Sequence, residues 1–184
     1  MQQVVEADGG DFSKVDLIPN NIVDEAGALK EHQTDAIWIY YGWGGISAEL
    51  QGLDFNYFYF KDLDPVFDYY TPVIIANNDF LAEHPDTAKA FLSATAKGYE
   101  YAIAHPEEAA QMLIESDTTG SLKDSAELVT ASQKWMADQY QAEAERWGYI
   151  DPSRWNAFYR WLSDNNLVEQ PIPENTGFSN DYLA

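Results

Sequence analysis

The chain has 184 residues, enough for one large domain or parts of two. Its 31 acidic residues outnumber 10 basic ones and give a net charge of −21, which argues against a nucleic-acid surface or an anionic membrane surface, because both need clustered Lys and Arg. It has no Cys, which removes disulfide scaffolds, thiolate metal sites and Cys nucleophiles, and its 46% hydrophobic content argues against disorder.

Met1 to Glu6 lacks the basic start and apolar run of a signal peptide, so an export signal is expected upstream if the protein works outside a membrane. No stretch is apolar for long enough to cross a bilayer. Val15 to Ile18 reads as a short strand, and Asp24 to His32 as a modest helix carrying Ala26, Ala28 and Leu29. Asp35 to Tyr41 is β-branched and aromatic, which predicts a strand, broken by Gly42, Gly44 and Gly45. Ile46 to Leu50 then begins a helix that stops near Gly52. Phe55 to Phe60 predicts a second aromatic strand, and Tyr70 to Ala76 a third with Pro72 near its edge or entry.

The rest is helical. Asn78 is the expected N-cap of a short helix ending at His84, and Pro85 opens a longer one. There Ala88, Phe91, Leu92, Thr95, Tyr99 and Ile103 fall on one face. His105-Pro106 opens the next, with Ala109, Ala110, Leu113 and Ile114. Leu122 to Tyr140 predicts another, with Leu128, Val129, Trp135, Met136 and Tyr140 turned to a core. Asp151-Pro152 caps the last, with Trp155, Phe158, Tyr159 and Leu162 inward, and the tail from Pro171 is irregular. Strands alternating with helices, then helices alone, indicate α/β architecture. The strands are too few for a complete doubly wound domain.

Four stretches carry a family resemblance: QTDAIWIYYGWGGISAELQG over 33–52, the long block 67–115 from FDYYTPVIIANNDF to EEAAQMLIE, WGYIDPSRWNAFYRWLSDNNLV over 147–168, and TGFSNDYL over 176–183. Together they resemble the NMT1/THI5-like family, which includes binding proteins for thiamin-precursor pyrimidines and is similar to the alkanesulfonate- and riboflavin-type binders. The resemblance implies a type II periplasmic-binding-protein-like fold: two α/β lobes joined by two crossovers, with ligand in the cleft between them. It implies that residues 1–54 supply the end of the second lobe and residues 55–184 the returning, mostly helical half of the first, with the N-terminal half absent.

Tyr40, Tyr41 and Trp43 end a predicted strand beside glycines, where open α/β sheets hold ligands and where an aromatic ring can stack. For Trp38 a core role is preferred, and Tyr40 shares its strand face. The resemblance places stacking aromatics in this segment. It also shows a departure: pyrimidine binders commonly read Trp-Glu-Gly-Ile where this chain has Trp43-Gly44-Gly45-Ile46. Glu49 lies five positions on, but a helix starting at Gly44 would aim it elsewhere. Asp68, Tyr69 and Tyr70 form a second candidate stretch, which in the family leads back toward the hinge and cleft; an ordinary strand start fits it equally.

No catalytic, metal or cofactor site is expected. His32, His84 and His105 sit in separate segments, two of them before Pro, and suit turns and caps better than a metal. Gly42, Gly44 and Gly45 match no phosphate-loop spacing. Pairs such as Glu107-Glu108 are solvated helix faces far more often than acid–base pairs. The resemblance implies a non-catalytic, extracytoplasmic solute-binding component of an ABC importer, with a small aromatic ligand and a membrane permease as partners. Its enzyme alternative is the fungal pyrimidine synthase type, whose chemistry uses an N-terminal His and Lys and a Cys-rich motif that this Cys-free chain lacks. A regulatory domain or a non-functional remnant of a binding protein is a further alternative. Sheets short of strands expose edges, so a homodimer through them is expected.

Overall fold

The structure, a computed structural model, describes residues 1–19 and 24–183. Its α-helices in chain order are α1 Gln2–Ala7, α2 Glu25–Lys30, α3 Ile46–Leu50, α4 Phe60–Leu63, α5 Asn78–Glu83, α6 Pro85–Ala104, α7 Pro106–Ser116, α8 Ser121–Asp124, α9 Ala126–Ala137 and α10 Pro152–Asp164. A π-helical turn, Tyr41–Gly45, runs directly into α3, and Pro65–Phe67 is a short 3₁₀ turn. None of these is long and apolar enough to cross a membrane.

The described residues contain no strand, which corrects the α/β expectation at Val15–Ile18, Asp35–Tyr41, Phe55–Phe60 and Tyr70–Ala76. These stretches do keep extended backbone where it is recorded: φ/ψ is −89/119° at Val15, −89/116° at Tyr40 and −90/138° at Tyr59. Residue type favours that conformation, but a strand exists only when a neighbour completes its hydrogen-bond ladder. Trp38, expected in a core, is 61% exposed, and Ile75 is 88% exposed.

The helices follow their start signals closely. Asp24 accepts a bond from Gly27 N at 3.0 Å, and Asp151 one from Arg154 N at 2.9 Å with Pro152 in the first turn. The cap of α5 is Asn77 rather than Asn78; its side chain accepts from Asp79 N and Phe80 N. The single helix expected over 122–140 divides at Ser125 into α8 and α9. In α6 Ala88 is buried but Phe91 is exposed, and in α7 Ile114 is buried but Leu113 is exposed, so the apolar stripes are narrower than their periodicity suggests.

Two compact units are present. Among the described residues, the first comprises 1–19, 56–88 and 149–183; the second comprises 24–55 and 89–148. The first is organised by α10, whose Trp155 is buried against Tyr159 and Phe178 and donates from Nε1 to Thr176 O at 2.9 Å. Asn156 is also buried and exchanges two bonds with Asn175, which holds the irregular tail on the helix. The second unit is centred on Ala110, Ile114 and Val129 of α7 and α9, with Leu122 and Ala126 packed against them. In the same unit Tyr99 stacks on Trp147 at 4.5 Å between ring centres and meets Tyr140 edge-on.

Candidate functional site

The first candidate stretch lies in the second unit. The π turn Tyr41–Gly45 is shaped by glycines whose missing side chains make room for neighbours. A Cβ on Gly42 would stand 2.6 Å from Met136 Sδ and 3.0 Å from the Trp135 ring, so a larger residue there would push these side chains of α9 aside. The same residue's carbonyl accepts a bond from the Ser132 hydroxyl of that helix. A Cβ on Gly44, which is buried, would meet Ile39 at 3.2 Å. π turns of this kind recur at functional sites.

Tyr40 and Trp43 are exposed, at 70% and 44%. Tyr41 is half-buried, with its ring 5.3 Å from that of Trp135. Its hydroxyl donates to Glu49. That contact corrects the expectation that Glu49 points elsewhere. The α-helix proper begins at Ile46, not Gly44, and the wider π turn before it changes the angular register. In uninterrupted α-helix, at about 100° per residue, eight residues would leave Glu49 about 80° around the axis from Tyr41. The π turn advances each residue by less and removes that offset. Glu49 is thus the polar residue that the structure brings to Tyr41, and the glycines at 42, 44 and 45 were the signal in the sequence that this turn is not a regular α-helix.

The second candidate stretch lies in the first unit. Asp68, Tyr69 and Tyr70 are half-buried and packed on α10. Tyr69 stacks on Phe158 at 4.4 Å and 25°. Arg154 reaches over this stretch: Nη2 donates to Asp68 Oδ1 at 2.8 Å, Nε donates to the Asp68 carbonyl, and the guanidinium lies 4.3 Å from the Tyr70 ring centre. Tyr70 in turn accepts from Asp151 N through its hydroxyl oxygen at 2.9 Å. The cavity among Tyr69, Tyr70, Trp155, Phe158 and Tyr159 is about 30 Å³, the room of a single water. Tyr69 and Tyr70 are therefore packed on α10 around little free space, with Asp68 held beside them by Arg154.

Tyr40, Tyr41, Trp43 and Gly44 thus share one unit, and Asp68 and Tyr69 belong to the other. A larger open groove of about 320 Å³ is lined by His105, Pro106, Glu107, Glu108 and Lys134, none of them among the ligand-binding residues expected from the sequence. Its Glu107–Lys134 ion pair holds the Glu107 carboxyl below the usual range. The described residues contain no group of three His, Asp or Glu side chains able to hold a metal.

The family profile described as NMT1/THI5 like matches residues 1–109. A formylaminopyrimidine-binding protein of Halalkalibacterium halodurans is 25% identical over 184 aligned residues, covering 97% of this chain and 54% of that protein. A 4-amino-5-hydroxymethyl-2-methylpyrimidine phosphate synthase of Candida albicans is 28% identical over 118 residues, covering 62% of this chain and 31% of the enzyme. The chain therefore spans about half the length of the first of these relatives and less of the second.

Proposed function

From membership of the NMT1/THI5-like family, to which this chain belongs, we propose that it is part of a solute-binding protein that holds a small aromatic ligand of the aminopyrimidine kind. The observation that carries this reading is the reach of the two likenesses. The binding protein aligns along 97% of the chain, whereas the synthase aligns along 62%. The exposed rings of Tyr40 and Trp43 beside a π turn suit a flat ligand, since a good aromatic pair adds about 0.5–1.5 kcal/mol beyond burial. Binding, not catalysis, is the role assigned.

In this reading the chain contributes to a two-lobed, periplasmic-binding-protein-like fold that closes over its ligand and docks on a membrane permease of an ABC importer, outside the cytoplasm. The exposed Leu17, Ile18, Val73, Ile74 and Ile75 are then sheet positions whose ladder is completed by further polypeptide, a second copy of this chain included. Titration of the purified chain with an aminopyrimidine, followed by native mass spectrometry, tests the proposal. A one-to-one complex that Trp43→Ala weakens roughly 10-fold supports it, that being the worth of one lost stacking partner. Equal binding by wild type and Trp43→Ala removes this site, and no binding of any pyrimidine removes the reading.

A further inference from the structure

Glu49 and Gly45 have no part in the stacking surface just described, yet the structure ties both to Tyr41. The Tyr41 ring lies directly over Gly45: a Cβ there would stand 2.6 Å from Cδ2, 2.8 Å from Cγ and 2.9 Å from Cε2 of the ring. A distance under 3 Å is closer than carbon atoms pack, so any larger residue at 45 lifts the ring. Lying across bare backbone, the ring carries its hydroxyl to Glu49 Oε1, one turn of α3 further on.

The chemistry of this pair is one-sided. A carboxylate only accepts hydrogen bonds, and the phenol has committed its single proton to it. The pair therefore has no hydrogen to donate to a ligand, while Glu49 Oε2 remains an acceptor on an exposed side chain. A chain of net charge −21 also repels anions. Sulfonates, carboxylates and ring carbonyls are disfavoured at such a group; an exocyclic amine or a ring N–H is favoured.

Resting on the binding reading above, we propose that Glu49, aimed by Tyr41 across Gly45, is the specificity residue of this site. It accepts a hydrogen bond from the amine of a neutral or cationic nitrogen heterocycle. The carboxylate thus stands one helical turn beyond the glycine turn rather than within it.

The test compares a 4-aminopyrimidine with its 4-oxo counterpart, titrated calorimetrically into wild type, Glu49→Gln and Gly45→Ala. Wild type is expected to prefer the amine. Glu49→Gln, which keeps the shape and still accepts from Tyr41, is expected to lose roughly 10- to 100-fold on the amine and to narrow or reverse the preference, because a donor now faces a donor. Gly45→Ala touches neither polar group and is expected to lose the preference in the same direction. Near-ultraviolet circular dichroism on each variant separates this from misfolding. Amine binding and preference unchanged in a folded Glu49→Gln overturns the assignment while leaving the binding reading intact. Wild type that binds neither ring overturns both.

Discussion

The Tyr41–Leu50 segment and the Asp68–Tyr70 segment are built by opposite means. The first is defined by what its residues lack: Gly42 admits α9, and Gly45 admits the Tyr41 ring. The second is defined by what its residues add: Tyr69 on Phe158, Arg154 over Tyr70, and Trp155 beneath with its indole bonded to the tail. The difference teaches where each is vulnerable. A segment shaped by absent atoms is harmed by adding them, and one shaped by stacked rings by removing them. It also separates shape from chemistry, since the additive region is nearly filled, whereas the subtractive one leaves Tyr40, Trp43 and Glu49 facing solvent.

The strongest challenge to this contrast is Trp155→Ala. Removing a buried indole from the additive region should lower stability by about 3–5 kcal/mol, read by urea unfolding. A loss below about 1 kcal/mol would mean that the rings merely adjoin one another. Next in size is Gly42→Val in the subtractive region. Overpacking against Trp135 and Met136 should cost about 1–3 kcal/mol, and the near-ultraviolet signal of Trp135 should change with it. A silent Gly42→Val would show that the turn does not need its close approach to α9.

The smallest effect concerns acid. Asp117, between α7 and α8, has its carboxyl pulled down to about 2, first by the Leu122 backbone N–H and then by the Thr119 hydroxyl and N–H. A depressed folded value means that this contribution is fully present above the ordinary carboxylate value of 3.8 and is lost as pH falls from there through about 2. The amides of Thr119 and Leu122 should shift in that window by nuclear magnetic resonance. The Trp155–Phe178 contact carries no proton and serves as the internal standard.

Most of the helical structure was legible in the sequence, because caps and prolines act locally. Asp24, Asp151 and Pro152 do in the structure what their chemistry dictates. The extended segments were legible only as backbone conformation. Val15 and Tyr40 lie in the β region, but a ladder depends on a second segment that no local pattern names. In the candidate site Tyr40 and Trp43 stand out in the sequence because aromatic rings beside glycines announce themselves, and in the structure both are exposed. Glu49 does not stand out, because its direction depends on whether residues 41–45 wind as an α or a π turn. The turn there rests on Trp135 and Met136 and accepts from Ser132, contacts about ninety positions away along the chain that no local pattern names.

The exposure of Ile74 and Ile75, at 53% and 88%, has a colloidal consequence. Extended apolar segments attract one another over a few ångströms, while a net charge of −21 holds chains apart at longer range. The second force is set by the buffer: its reach shrinks from about 30 Å at 0.01 M ionic strength to about 8 Å at 0.15 M. Salt therefore moves this chain toward self-association without altering a single internal contact, and the same solution that keeps it dispersed when dilute in ions lets it gather when they are added.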